Sequence, residues 1–417
     1  MKKLNKRPNN FRPKNKSFYS TSLKSLYKAH ITEGESVLEF SYGIENVLDD
    51  LNLKKNHARI DISRKVKPLK TRTKFDRIII HNLVEYVFDV QLIIERARRH
   101  IKSDGLLILS SINPLWKTSF KPEIRKNWQH TISLKHLISI VKLAGFQIEK
   151  SGYLMPKLSK LGAIQYLVAK PLTAMKKDPS VSIVIPCYNE EDNVVETVKQ
   201  APKLGRFTEI IVVDDASKDK TKEVAESLRK KYKNLKVVSR KLNGGKGPAV
   251  KSGIDAAKGD ILIIWDADRT VPASELYRFY DALALGLGQF SNGTRMIYRM
   301  EGEAMRPLHV LGNTVFGWLF SWIFSNGISD TLCGTKALFM KDARKIEMGK
   351  ERWGDFDLLF GAARLGLKIA EVPIHYKSRV AGESKMRTFN YGFKVGKMAL
   401  SGMIEFKIKP ILKTLVS

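Results

Sequence analysis

Two series of short apolar runs, each run followed by a helical pattern, leave few folds open to this chain. The first extends from about Ser36 to Lys170, with "SVLEF", "ARIDI", "FDRIIIH" and "GLLILSS" spaced by stretches such as "DVQLIIERARRHI" and "LKHLISIVKLAG". The second opens with "VSIVIPCYNEEDNVVETV" and continues through "EIIVVDDAS", "LKVVSR" and "DILIIWDAD". Such alternation predicts parallel or mostly parallel sheets, with ligands at the carboxyl ends of the strands. Between the series, "KPLTAMKKDPS" carries two prolines and three lysines without periodicity and reads as a linker. At 417 residues the chain exceeds what one core usually organises, so the expected fold class is α/β in two domains.

The boundaries that follow are a basic disordered arm over 1–30, a first domain over 31–172, a linker over 173–180, a second domain over 181–388 and a basic amphipathic segment over 389–417. Against 42 acidic residues stand 73 Lys and Arg, a formal charge of +31 that favours a polyanionic partner: nucleic acid, an anionic membrane surface or phosphorylated substrates. Cys187 and Cys333 stand too far apart for a metal knuckle, and the basic start has no apolar core behind it, so the cysteines are expected to stay reduced in a cytoplasmic protein. The stretch 307–329, "PLHVLGNTVFGWLFSWIFSNGIS", lacks formal charge and is long enough to span a bilayer. His309, Asn313 and Asn326 interrupt it, and Trp318 and Trp322 share a face, which favours helices lying in the membrane interface.

In the second series, Asp214 and Asp215 follow one strand, and Asp266 and Asp268 follow another. Two carboxylates at i and i+2 leaving an extended strand project to one side and can hold a hard cation against a diphosphate. The same pair can also simply close a turn.

The ordered set "IVIPCYNEEDNV", "EIIVVDDASKDKT", "NGGKGPAVKSGIDAAKGDILIIWDAD", "NGTR", "DTLCGTKALF", "DFDLLFGAARLGLKIAEVPIHY" and "GESK", over about Val181 to Lys385, resembles the family 2 glycosyltransferases of the GT-A fold. Within them it is most similar to the polyprenyl-phosphate sugar transferases of the dolichol-phosphate mannose synthase kind. The resemblance implies an inverting transfer from a nucleoside-diphosphate sugar. Pro186, Tyr188, Glu190, Asp215, Lys246 and Asp266 would line the nucleotide pocket, and Asp266 and Asp268 would hold Mg2+ or Mn2+. Arg295 of "NGTR" and Arg306 would clamp an acceptor phosphate. Asp355 and Asp357 stand where relatives that act on hydroxyl groups keep a carboxylate base, although Leu359 replaces the glutamate of the usual F-D-x-E-L pattern. Asp330, Lys336, Ser384 and Lys385 would lie on the acceptor side. The apolar stretch after Arg306 and the basic C-terminal segment would then meet an anionic membrane, making the protein peripheral on its inner face, with polyprenyl phosphate as acceptor.

"SVLEFSYGIENVLDDL", "ARIDIS", "KFDRIIIHNLVEYVFDVQLIIERARRHIKSDGLLILSSIN" and "KLAGFQIE" resemble, in that order, the Rossmann-like class I methyltransferases that use S-adenosylmethionine. Glu39, Gly43 and Asp61 match parts of that cofactor site. Ser41 and Glu45 replace two glycines of its loop, and Asp61 stands too close to Phe75 for the usual helix and third strand. The first domain is therefore expected to keep the fold without binding S-adenosylmethionine. Two other readings stay open: transfer to a hydroxyl of a cell-surface glycan, and a non-catalytic polyanion-binding protein. No motif points to specific nucleic-acid recognition. The sequence leaves the base, the sugar and the oligomeric state open.

Overall fold

The computed structural model describes residues 16–42, 57–61, 73–81, 83–119, 122–154, 162–172, 177–298, 307–349, 352, 354–377 and 388–416. The chain divides into two compact units, Met1–Ala174 and Met175–Ser417.

In the first unit the strands are β1 (Val37–Ser41), β2 (His57–Asp61), β3 (Phe75–His81), β4 (Ile101–Ile112), β5 (Phe146–Leu154) and β6 (Ile164–Pro171). They form one sheet in the order β2-β1-β3-β4-β6-β5. The first four are parallel, and β6 runs antiparallel between β4 and β5. The helix Val90–His100 starts where the Asp89 carboxylate accepts the Leu92 N–H and ends on Arg98, Arg99 and His100, charges that suit both ends of its dipole.

The disordered arm expected over 1–30 is corrected in its second half, because Lys16–Lys28 is a helix. Its Leu23, Leu26 and Tyr27, spaced to share one face, pack on Val37, Ile79 and Ile108. Lys24 and Lys28 lie off that face, half-buried and exposed respectively.

The second unit is built on β7 (Val181–Cys187), β8 (Thr208–Asp214), β9 (Leu235–Ser239), β10 (Ile261–Ile264), β11 (Phe290–Thr294), β12 (Lys336–Phe339) and β13 (Ile369–Pro373). Their order is β13-β11-β12-β10-β7-β8-β9. The strands β10, β7, β8 and β9 are parallel, whereas β12 runs antiparallel to both β10 and β11. The sheet is thus mixed. Every residue of β8 and β10 is buried, as expected for parallel strands covered on both faces. Because β7, β8 and β10 pair in register, Cys187 lies opposite Asp214 and Ile264 opposite Val184, so the acidic residues after these strands emerge at one edge.

Gly205 shows how tightly this unit is closed. Its φ is +57°, and a Cβ there would run into the Pro179 carbonyl oxygen. Gly205→Ala is expected to destabilise the protein by about 2–4 kcal/mol through the positive φ and the collision together, read as an earlier urea midpoint. An unchanged midpoint would mean that the turn relaxes freely.

Among the described residues, no helix is long and apolar enough to cross a membrane. The helix Pro307–Phe324 buries Asn313, Phe320 and Ile323 while Trp318 is 74 % exposed. It packs against the helix Thr388–Met403, which continues through a π-helical turn, Ile404–Ile408, into Lys409–Val416.

Candidate active site

A cleft of about 540 Å3 opens at the carboxyl ends of β7, β8 and β10. Pro186 reaches it from the end of β7, Tyr188 and Glu190 from the turn that follows, Asp215 from the end of β8, Asp266 and Asp268 from the end of β10, and Lys246 from the start of the helix Lys246–Ala256. Arg295 and Asp355 line it as well. Gly43, Arg306, Ser384 and Lys385 lie outside the described residues, as does Glu45.

The loop after β10 is fixed from inside. Trp265 is fully buried, and its Nε1–H donates to the Val271 carbonyl at 2.8 Å, while Arg269 takes a φ of +53°. The Thr270 N–H and hydroxyl donate to Asp268 Oδ1 at 3.1 and 3.0 Å. Asp268 therefore closes a turn and still faces the cleft. Asp266 Oδ1 sits 2.6 Å from Lys246 Nζ. Burial by itself would lower the Lys246 ammonium, but Asp266 and then Asp355 outweigh it and hold the group above the usual lysine range. Gly334 makes this contact possible, since a Cβ there would strike the Asp266 carboxylate and crowd Lys246 Nζ.

Asp215 organises the glycine loop "NGGK". Its carboxylate pairs with Arg240 and accepts from the Gly245 N–H at 2.7 Å and the Gly244 N–H at 3.2 Å. Arg352, also in the cleft wall, donates to Asn243 Oδ1 at 3.1 Å.

Asp355 begins the helix Asp355–Arg364 and lies between two ammonium groups, Lys336 Nζ at 3.3 Å and Lys246 Nζ at 3.7 Å. Lys336 is fully buried, and its ammonium also donates to the Cys333 carbonyl. Asp357 is turned elsewhere: its Oδ2 accepts the Gly349 N–H at 2.8 Å, and it does not line the cleft. Nor does Asp330, which is buried behind Arg295 and bound to it through Nε at 2.6 Å and Nη2 at 2.8 Å. Burial would raise the Asp330 carboxyl, but the guanidinium prevails and brings it to about 2. The same neighbourhood pushes the Cys333 thiol up, to about 11, chiefly by burial, so it is no thiolate nucleophile at neutral pH.

Two carboxylates at the cleft suit a cation of a particular kind. Among the described residues no cluster of three or more His, Cys, Asp or Glu exists that could cage an ion. Magnesium-type ions are commonly held by one or two carboxylates together with substrate phosphates, which is what Asp266 and Asp268 beside an open cleft can provide. In the first unit, Glu39 is buried, with Oε2 3.3 Å from His57 Nε2 and 3.6 Å from Arg59 Nε, and Asp61 ends β2.

Comparison with known proteins is decisive for the second unit. The Glycosyl transferase family 2 profile matches residues 182–345. The human dolichyl-phosphate beta-glucosyltransferase is 31 % identical over 239 residues, covering 52 % of this chain and 72 % of that protein. The chain belongs to glycosyl transferase family 2. The dolichyl-phosphate beta-glucosyltransferase ALG5A of Trichomonas vaginalis is 31 % identical over 229 residues, 50 % of this chain and 71 % of its own length. A dolichyl-phosphate hexose transferase of Haloferax volcanii is 28 % identical over 229 residues, 55 % of this chain and 96 % of its own.

Most of the nucleotide-side residues read from sequence line the one cleft, but several residues beside them carry weaker sequence signals. Tyr376, whose ring lies 5.0 Å from the Arg295 guanidinium, ends the quoted "IHY" stretch, and Arg352 precedes "GDFD". Asn313, Gly334 and Arg240 carry no local signal, because their roles arise only from what the fold places beside them.

Proposed function

We propose that this family 2 glycosyltransferase moves a sugar from a nucleoside-diphosphate sugar to a polyprenyl phosphate, using a GT-A-type nucleotide cleft and a divalent cation. The observation that carries the reading is the state of Asp355. The cleft-lining carboxylate that could serve as a base is engaged by Lys246 and Lys336, while Arg295 offers a cation in the same cleft. A hydroxyl acceptor needs a partner for its proton, whereas a phosphate monoester, whose second pKa is about 6, arrives ionised and needs cations to place it. The relatives named for dolichyl phosphate favour the same acceptor class.

In this reading Asp266 and Asp268 would hold Mg2+ or Mn2+, which would supply neutralisation of charge on the leaving group. Pro186, Tyr188, Glu190 and Asp215 hold the nucleoside, Asp215 by shaping the loop it binds. Lys246 is placed to add a fixed positive charge beside the phosphates. Arg295 takes the acceptor phosphate, with Arg306, Ser384 and Lys385 assigned to the same side. The exposed Trp318, Trp322, Leu400, Ile404 and Ile411, bordered by Lys397 and Lys409, suit a peripheral seat on an anionic membrane where such an acceptor resides.

The test is transfer of labelled sugar from a panel of nucleotide sugars to polyprenyl monophosphate, with manganese or with chelator. Asp355→Asn is expected to keep roughly a tenth or more of wild-type kcat/KM, since loss of a general base costs about 10^2–10^4-fold. A fall of that larger size in a protein with an unchanged melting point would favour a hydroxyl acceptor instead.

For the first unit, we propose a retained fold without methyl transfer. Glu39, which matches the first residue of the cofactor-loop pattern, is buried beside His57 and Arg59 at 3.3 and 3.6 Å. Calorimetric titration of the full chain with S-adenosylmethionine is expected to show no heat, and micromolar binding would overturn this reading.

A further inference from the structure

Asn313 is a buried amide on a helix that otherwise sends aromatic and aliphatic side chains inward. It is 2 % exposed, on the face of Pro307–Phe324 opposite Trp318 and Trp322. Its Nδ2 donates to Asp330 Oδ1 at 2.9 Å and lies 3.4 Å from Met296 Sδ. Its Oδ1 is buried with no hydrogen-bond partner among the described residues. An unsatisfied buried carbonyl costs on the order of 1–3 kcal/mol, so a leucine here would serve the core at least as well. The amide therefore calls for a reason other than packing.

Its partner supplies one. Asp330 is fully buried and saturated: Oδ2 accepts the Arg295 N–H and Nε–H at 3.1 and 2.6 Å, and Oδ1 accepts Arg295 Nη2 at 2.8 Å, the Leu332 N–H at 3.0 Å and Asn313 Nδ2. The fork of Arg295 is thus gripped along its Nε–Nη2 edge and backed by the Tyr376 ring. None of its hydrogen bonds among the described residues uses Nη1, and Arg295 lines the cleft. A planar guanidinium held along one edge presents the other in one orientation, which bidentate phosphate recognition requires.

We infer that Asp330 and Asn313 are positioning residues that orient Arg295 toward the acceptor phosphate, so that the helix Pro307–Phe324 forms part of the acceptor site through Asn313. This rests on the acceptor being a phosphate monoester. It extends that reading by assigning acceptor affinity to a residue that touches no substrate.

Asn313→Leu in the full chain tests it. The expected result is a KM for polyprenyl phosphate raised about tenfold, the size of one lost hydrogen bond to a charged group. The KM for the nucleotide sugar should stay within about twofold and the melting temperature should not fall. An unchanged acceptor KM, or both KM values moving together, would overturn the inference. Should the wild type transfer no sugar to polyprenyl phosphate, the acceptor reading itself fails, and titration with geranyl monophosphate decides the positioning role. A roughly tenfold weaker affinity in Asn313→Leu sustains it, whereas equal affinity in both proteins, or binding by neither, removes it.

Discussion

Asp266→Asn is expected to lower kcat/KM about 10^2–10^3-fold while leaving the fold intact. The residue lies at the end of β10 with its side chain about one-third exposed, so the substitution opens no cavity, and Asp355 at 3.7 Å remains to pair Lys246. In the proposed function it removes one of the two carboxylates that would hold the cation, and it removes the partner of Lys246 Nζ at 2.6 Å. Stabilising charge on a departing diphosphate is an interaction strengthened in the transition state, and a loss of about 3–4 kcal/mol there corresponds to that fall in rate. Manganese titration should shift to higher concentration in the variant. Asp255→Asn, which removes only the exposed pair with Lys251, provides the control and should change little. Equal activity in Asp266→Asn and wild type would show that the pair merely closes a turn.

Arg295→Ala is expected to do two separable things. It removes the side chain proposed to clamp the acceptor, and it leaves Asp330 buried without its cation. Breaking a buried pair from one side costs about 3–5 kcal/mol. In a unit of this size that corresponds to a melting temperature lower by about 10 °C. The sign of the pH dependence follows from Asp330. Its folded pKa, about 2, is depressed below the unfolded carboxylate value near 3.9, so the pair's stabilisation is fully present above about pH 4 and is lost as pH falls toward 2. The gap in stability between wild type and Arg295→Ala should therefore be wide at pH 7 and narrow between pH 4 and 2. A gap independent of pH would show that the loss is packing rather than charge. Arg295→Lys keeps the charge but cannot hold Asp330 by two nitrogens and still present a flat edge, so its acceptor KM should rise even where the fold survives.

The alternating pattern was legible because buried parallel strands such as "TEIIVVD" and "ILII" declare themselves as unbroken apolar runs ending in acids. The cleft residues at strand ends are legible for the same reason: Asp215, Asp266 and Asp268 stand where local sequence fixes geometry. The antiparallel placement of β12 between β10 and β11 was not, since nothing in "KALF" distinguishes direction of pairing. The acceptor side was read less completely. Asp330 was placed facing an acceptor, yet it is fully buried and serves Arg295, a role set by contacts some 35 positions apart in sequence. Asp355 and Asp357 looked equivalent as bases, and only the fold shows one between two lysines and the other holding the Gly349 backbone. The first helix was read as a solvated arm because its charge count hid the one face formed by Leu23, Leu26 and Tyr27.

In the proposed reaction the acceptor is a phosphate placed by Arg295 and needs no base. The most direct measurement offers the purified full chain equal amounts of polyprenyl monophosphate and the corresponding polyprenol, with a labelled nucleotide sugar and manganese. Label is expected to enter the organic phase only with the monophosphate, as a product that mild acid releases as free sugar. Comparable labelling of the polyprenol, in an acid-stable glycoside that disappears in Asp355→Asn, would contradict it.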